Sequence, residues 1–260
     1  MPNSFDLSQI RLIATDMDGT LTVSNKFTAL LLQTFEDLKA SGIQVLIVTG
    51  RSAGWVSSIA HYLPVVGAIA ENGGLFYPCN NDPVYLTPIP DIITHRQQLA
   101  ATFDYLKLQF PKIQESTDNR FRITDWTFDV AGLSSDDIKN LANLTQVKGW
   151  GFTYSNVQCH IKPQGQDKAV GLLKVLQENF PELTLEQVVT VGDSPNDESL
   201  FDARYFPLSV GVANVSHYLD TLQHKPTHIT DGAEGQGFCE LAKMVIGSKD
   251  QNSILNTQYS

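Results

Sequence analysis

Arg11-Leu12-Ile13-Ala14-Thr15-Asp16-Met17-Asp18-Gly19-Thr20 is the stretch on which the reading of the whole chain turns. A short aliphatic run leads directly into two aspartates separated by one residue. In extended backbone, residues two apart point to the same side, so Asp16 and Asp18 address one region of space. Gly19 permits the sharp turn that follows. Taken alone, the stretch is equally well a capped strand end. A calcium loop is excluded, because Thr20 and Phe27 stand where that loop needs an acceptor and a bidentate glutamate.

Working outward, the same design recurs. Residues 28–41 carry Leu31, Leu32, Phe35 and Leu38 at helical spacing, and Gly42 stops the pattern. Residues 44–48 form a second aliphatic run ending in Thr49-Gly50-Arg51. Residues 53–63 read as a helix closed by Pro64, and 65–70 as a third strand ending in Glu71-Asn72-Gly73-Gly74. Strand, helix, strand, helix, strand predicts a parallel sheet covered by helices. After Pro163 the pattern returns, with a helix over 167–180 and a strand over 187–191 that ends in Gly192-Asp193. A short helix is expected over 198–203, then a strand over 208–212, a helix over 216–223 and a strand over 227–230.

The intervening stretch differs. Pro78, Pro83, Pro88 and Pro90, with polar residues 80–82, mark a loop or boundary. Beyond it come helices over 91–110 and 134–147, with strands over 120–124, 127–131, 151–154 and 158–161. Paired strands with short turns predict an antiparallel sheet in a separate α+β insert. The expected fold is therefore α/β, a doubly wound parallel-sheet core with an inserted cap. The core takes residues 1–82 and 163–247, the cap 83–162, and 248–260 form a polar tail.

Composition bounds the function. There are 28 acidic residues against 18 lysines and arginines, a formal charge of −10, which argues against coating nucleic acid or an anionic membrane. The longest apolar stretch, residues 63–70, is too short to span a bilayer. Three widely spaced cysteines and an opening Met1–Asp6 without the order of a signal peptide lead us to expect a cytoplasmic protein with reduced thiols. A Walker phosphate loop, a GxGxxG after a strand, HExxH and GxSxG are all missing from the sequence.

Open parallel sheets place ligands beyond the carboxyl ends of their strands. If the strands are neighbours, Asp16, Asp18, Thr49, Gly50, Arg51, Asp193, Asn196 and Asp197 converge there. Clustered carboxylates repel one another unless a cation sits among them, and oxygen donors favour Mg²⁺. One carboxylate can attack while another handles protons.

Asp16-Met17-Asp18-Gly19-Thr20-Leu21-Thr22, Thr49-Gly50-Arg51, Lys168 and Gly192-Asp193-Ser194-Pro195-Asn196-Asp197 resemble the four ordered motifs of the haloacid dehalogenase-like phosphatase superfamily. The resemblance runs from about residue 10 to 245. The position of the insert is similar to the Cof-type branch with its larger α/β (type IIB) cap, which includes sucrose-phosphate and mannosyl-phosphoglycerate phosphatases. It implies an Mg²⁺-dependent phosphatase acting on a small phosphorylated metabolite, most simply a sugar phosphate, as a monomer or small homo-oligomer.

Asp16 would be the nucleophile and Asp18 the general acid and base. Thr49 and the Gly50 amide would hold phosphate oxygens, Lys168 would neutralise charge on the transferring group, and Asn196 would sit near the phosphate. Asp193, the Asp16 carboxylate, the Asp18 carbonyl and, through water, Asp197 would hold the metal. Lys162 is the rival of Lys168, although the residues after Lys168 suit the motif better. Arg51 either binds substrate or pairs with a nearby acid. Asn72 is expected in a tight turn, Trp126 and Trp150 in packing, and Arg120, Arg122 and His160 as solvated or satisfied residues in preference to anion ligands. A phosphomutase and a non-catalytic phospho-ligand module remain as alternatives.

Overall fold

The computed structural model describes residues 7–79 and 81–258; Met1–Asp6, position 80 and the last two residues of the polar tail lie outside them. β1 (Leu12–Thr15) is four residues buried on both faces. Its alternation splits the core: Ile13 faces one apolar cluster, Leu12 and Ala14 the other. α1 (Ala29–Ala40) starts where the Thr28 hydroxyl accepts from the Leu31 amide and ends before Gly42 at φ 69°. β2 (Gln44–Val48), α2 (Ala53–Tyr62) and β3 (Gly67–Ala70) follow in the expected order. β2 lies parallel to β1, with Thr15 opposite Ile47. On the other side of β1 runs β9 (Val188–Gly192), with Thr15 opposite Val191. This register brings Asp16, Thr49 and Asp193 to one sheet edge.

The eight-stranded core sheet has the order β11 (His228–Ile229), β10 (Leu208–Gly211), β9, β1, β2, β3, β4 (Leu75–Pro78), β5 (Val84–Tyr85). β10 (Leu208–Gly211) and β11 (His228–Ile229) extend it in parallel. α1 and α2, with α6 (Glu234–Gln258), cover one face, and α5 (Lys168–Asn179) the other. Each fully buried Leu or Phe in these layers contributes roughly 1.5–3 kcal/mol of burial free energy.

Several expectations change. β4 (Leu75–Pro78) and β5 (Val84–Tyr85) continue the core sheet in antiparallel sense through the proline-rich stretch. Pro78 takes the last position of β4, where no further ladder donor is needed. The core sheet thus includes Val84 and Tyr85, which the sequence assigned to the cap. The expected helices at 198–203 and 216–223 are replaced by 3-10 segments at Pro195–Phe201 and Ala213–His217. α6 continues to Gln258, through most of the stretch read as a tail.

The cap holds α3 (Ile92–Gln109), β6 (Trp126–Asp129), α4 (Ser135–Val147), β7 (Gly151–Tyr154) and β8 (Gln158–Lys162). Its sheet is three-stranded, antiparallel and ordered β6-β8-β7. The strand expected at 120–124 does not form. A 3-10 turn (Asn119–Phe121) stands there, because Arg122 is buried and ion-paired to Asp118 and Asp125, each at 2.9 Å. Cys159 and Ile161 of β8 pack on the cap helices with Leu99, Phe103 and Leu141. Period-two geometry turns Gln158 and His160 the other way, toward the core. Trp126 and Trp150 pack against the cap cluster as expected.

Candidate active site

The first loop makes a tight turn beyond β1. The amides of Thr20, Leu21 and Thr22 all donate to the Met17 carbonyl, and Gly19 sits at φ 83°. A Cβ at Gly19 would lie 2.6 Å from Asp193 Oδ2, so only glycine lets this loop pass against Asp193. The Thr20 hydroxyl donates to Asp193 Oδ1 at 3.0 Å, and Asn214 Nδ2 donates to Oδ2 at 2.9 Å. These two partners were not singled out from the sequence, since their link to Asp193 is made only by the fold.

Asp167 caps α5 by accepting from the Val170 amide at 2.8 Å, which makes Lys168 the first helical residue. The Lys168 ammonium is fully buried, 2.5 Å from Asp16 Oδ1 and 2.6 Å from Asp197 Oδ1. Burial alone would lower its pKa, but the two carboxylates outweigh it and hold the ammonium above its ordinary range. Asp197 is fixed by the Asp193 and Ser194 amides, at 2.9 and 3.1 Å. Lys162, the rival, donates to the Gln166 carbonyl instead of to Asp16.

The acidic cluster is under electrostatic stress. Burial, together with the nearby Asp197 charge, pushes Asp16 up to about 7 against the pull of Lys168. Burial and the Asp16 charge raise Asp193 well above the ordinary carboxylate range. Carboxylate oxygens of Asp16, Asp193 and Asp197 lie within 4.8 Å of one another. One ammonium faces three buried carboxylates, and every donor in the set is oxygen. Such a set fits a hard divalent cation, whose charge would relieve the repulsion.

A small cleft of about 20 Å³ opens above the cluster. Asp16, Asp18, Thr49, Gly50, Arg51 and Asn196 line it from the core, and Gln158 and His160 from the cap. All nine residues proposed for the site from the sequence therefore lie in the cleft or directly beneath it. Arg51 does pair with an acid: its Nε and Nη2 reach both oxygens of Asp18, at 2.7 and 2.6 Å. Asn196 Nδ2 donates to Asn72 Oδ1 at 3.1 Å, and Glu71 and Asn72 form the turn with positive φ. A Cβ at Gly50 would lie 3.1 Å from His160 Cε1 and 3.2 Å from the Asn72 side-chain amide, so a larger residue would press on both.

His160 Nδ1 lies 2.8 Å from Asp125 Oδ2, so His160 is a satisfied histidine, as expected, yet it lines the cleft. Arg122 departs from the solvated reading, because it donates to the Gly50 carbonyl at 2.9 Å and ties cap to core. Arg120 is exposed, with its guanidinium over Phe121.

Glu71 was read only as part of a turn, yet it is the main junction between the two parts. It is fully buried and accepts from the Ala53 amide of the core and from the Ile123 and Thr124 amides and Thr124 hydroxyl beside the cap. Glu71→Ala should cost about 3 kcal/mol of stability by stranding these donors, measured as a lower urea midpoint; an unchanged midpoint would contradict this role.

Comparison with known proteins agrees with this geometry. The family profile of haloacid dehalogenase-like hydrolases matches residues 13–125 and 112–241. Phosphoglycolate phosphatase 1 of Saccharolobus solfataricus is 28% identical over 246 residues, covering 93% of this chain and 98% of its own. A phosphoglycolate phosphatase of Staphylothermus marinus is 26% identical, covering 91% and 98%. The crystal structure of a Thermoplasma acidophilum protein superposes with a TM-score of 0.72 at 20% identity, covering 91% of this chain and 98% of that one. The chain belongs to the haloacid dehalogenase-like hydrolases. Its enzyme class is that of a phosphoric monoester hydrolase.

Proposed function

We propose that this enzyme is an Mg²⁺-dependent phosphatase that cleaves a small phosphorylated carboxylic acid of the phosphoglycolate kind through an aspartyl-phosphate on Asp16. The observation that carries the reading is Asp16 held 2.5 Å from a buried lysine at the floor of a cleft lined by Thr49 and Gly50. The cleft is small, with room for about 20 Å³, and the relatives named above are phosphoglycolate phosphatases. A sugar phosphate is the second substrate class to test.

Asp16, Asp193 and the Asp18 carbonyl, with Asp197 acting through water, would hold Mg²⁺; when bound, it supplies the positive charge that offsets repulsion between carboxylate and phosphate. In the first step an Asp16 oxygen bonds to phosphorus, the ester P–O bond breaks, and Asp18 gives its proton to the leaving oxygen. In the second, Asp18 takes a proton from water as the water oxygen bonds to phosphorus, and the Asp16 O–P bond breaks. Lys168 neutralises charge at Asp16 throughout, and Thr49 with the Gly50 amide orients the phosphate oxygens. The cap, closing with His160 and Gln158, keeps bulk water out of the first step.

Among the described residues no helix is long and apolar enough to cross a membrane, and Cys79, Cys159 and Cys239 are unpaired. A cytoplasmic enzyme acting on a free metabolite, as a monomer or small homo-oligomer, completes the proposal.

Phosphate release from a panel of phosphorylated acids and sugars tests the substrate class, and a phosphomutase would release none. Excess EDTA should abolish activity and Mg²⁺ restore it. Mg²⁺ should also raise the melting temperature of the wild type and not of Asp193→Asn. Full activity in chelator would contradict the cation site.

A further inference from the structure

Arg51 and Asp18 present an unusual arrangement for a pair at the mouth of a catalytic cleft. The guanidinium fork holds both carboxylate oxygens of Asp18, at 2.6 and 2.7 Å, so the acid is fixed on Arg51 and ionised there. Both side chains are 16% exposed, so another anion can reach the fork without uncovering the core. The guanidinium lies over the Trp55 ring, 4.7 Å from the centroid, and the Arg51 backbone is held by its amide, which donates to the Thr49 hydroxyl at 3.1 Å. Arg51 can therefore change partners without changing place. Lys168 lies beneath the cleft, already saturated by two carboxylates, so Arg51 is the permanent cation among the residues lining the cleft.

We infer that Arg51 is a carboxylate exchanger: a carboxylate on the substrate's leaving portion takes the fork from Asp18 and frees the Asp18 side chain to approach the ester oxygen. The inference rests on the phosphatase reading of the site and deepens it by giving the reason for a carboxylated substrate. Released from the guanidinium, the Asp18 carboxylate takes up a proton from solvent, the one it then gives to the ester oxygen; otherwise the exchange makes and breaks only hydrogen bonds and an ion pair. One bidentate carboxylate replaces another, so its own cost is small, and the bound phosphate holds the incoming group at high effective concentration. An ester without a carboxylate leaves the fork on Asp18 and the acid engaged. Selection then lies in the rate of the chemical step as well as in binding.

The test compares 2-phosphoglycolate with ethyl phosphate, which lacks the carboxylate, on wild type, Arg51→Ala and Arg51→Lys. The wild type should favour 2-phosphoglycolate by about 100-fold in kcat/KM. In Arg51→Ala that preference should collapse to within about threefold, through a higher KM for 2-phosphoglycolate and a higher kcat for ethyl phosphate. Arg51→Lys, which keeps the charge and loses the fork, should fall between. Because both esters are measured on one preparation, their ratio does not depend on the fraction folded.

Equal loss on both esters in Arg51→Ala would overturn the inference and leave Arg51 as a mere support of Asp18. So would a wild type that hydrolyses both alike. A wild type that releases no phosphate from either ester or from p-nitrophenyl phosphate, with Mg²⁺ present, would overturn the phosphatase reading itself.

Discussion

Asp16→Asn eliminates turnover while the chain stays folded: the expected loss in kcat is about 10⁴-fold, with a melting temperature near that of the wild type. The loss follows from chemistry. An amide oxygen in place of the carboxylate cannot displace an alkoxide from phosphorus and yield a hydrolysable acyl phosphate. The preserved fold follows from electrostatics. Asp16 sits at 3% exposure beside Asp193 and Asp197, and its pKa is already pushed up to about 7 by burial and like charge. Removing its charge relieves repulsion, and asparagine keeps the shape and can still accept from Lys168. Retention of more than about a tenth of the wild-type rate would remove Asp16 from the nucleophile role. An unfolded variant would show that the carboxylate serves the structure first.

Lys168→Met is expected to lower kcat by about 10³-fold and to destabilise the metal-free protein by roughly 3–5 kcal/mol. Both effects come from one geometry. The ammonium bridges Asp16 and Asp197 at 2.5 and 2.6 Å with no exposure to water. Methionine fills the space and leaves two buried carboxylates unpaired, and the transferring phosphoryl group loses its fixed cation. Mg²⁺ should recover part of the lost stability, because it supplies charge to the same carboxylates, and little of the lost rate. Lys162→Ala should keep kcat within about threefold of wild type, since its ammonium donates to the Gln166 main-chain carbonyl and not to Asp16. Steady-state kinetics and urea unfolding with and without Mg²⁺ check all of this. A severe rate loss in Lys162→Ala with a mild one in Lys168→Met would reverse the assignment.

How much of this was legible in the sequence depends on how local each signal is. Asp16, Thr49 and Asp193 could be read because each follows a buried aliphatic strand, and parallel neighbours must bring their carboxyl ends together. Lys168 could be placed because Asp167 caps the helix that begins with it. The partners Thr20 and Asn214 could not, since the Asp193 contact that unites them spans 173 residues in one case and 21 in the other.

Residues 120–124 looked like a strand because arginines and apolar residues alternate there. The alternation instead buries Arg122 among Asp118, Asp125 and Gln158, which is a tertiary reason no local pattern carries. β4 was hidden by its own proline, and α6 by Gly235 and Gly237, which lower helix propensity. Gly235 approaches the Leu21 carbonyl so closely that a Cβ would lie 2.6 Å away, so close packing of the helix start on the first loop outweighs propensity. Glu71 seemed to be only a turn residue because a short sequence window cannot show that a carboxylate gathers amides from two domains.

The central claim is that an Asp16 oxygen, and not water, makes the first bond to phosphorus. The most direct measurement is the stereochemical course of transfer from a phosphate ester made chiral with oxygen isotopes. Two successive in-line displacements predict net retention of configuration at phosphorus. Net inversion would mean a single displacement by water and would contradict the covalent role of Asp16.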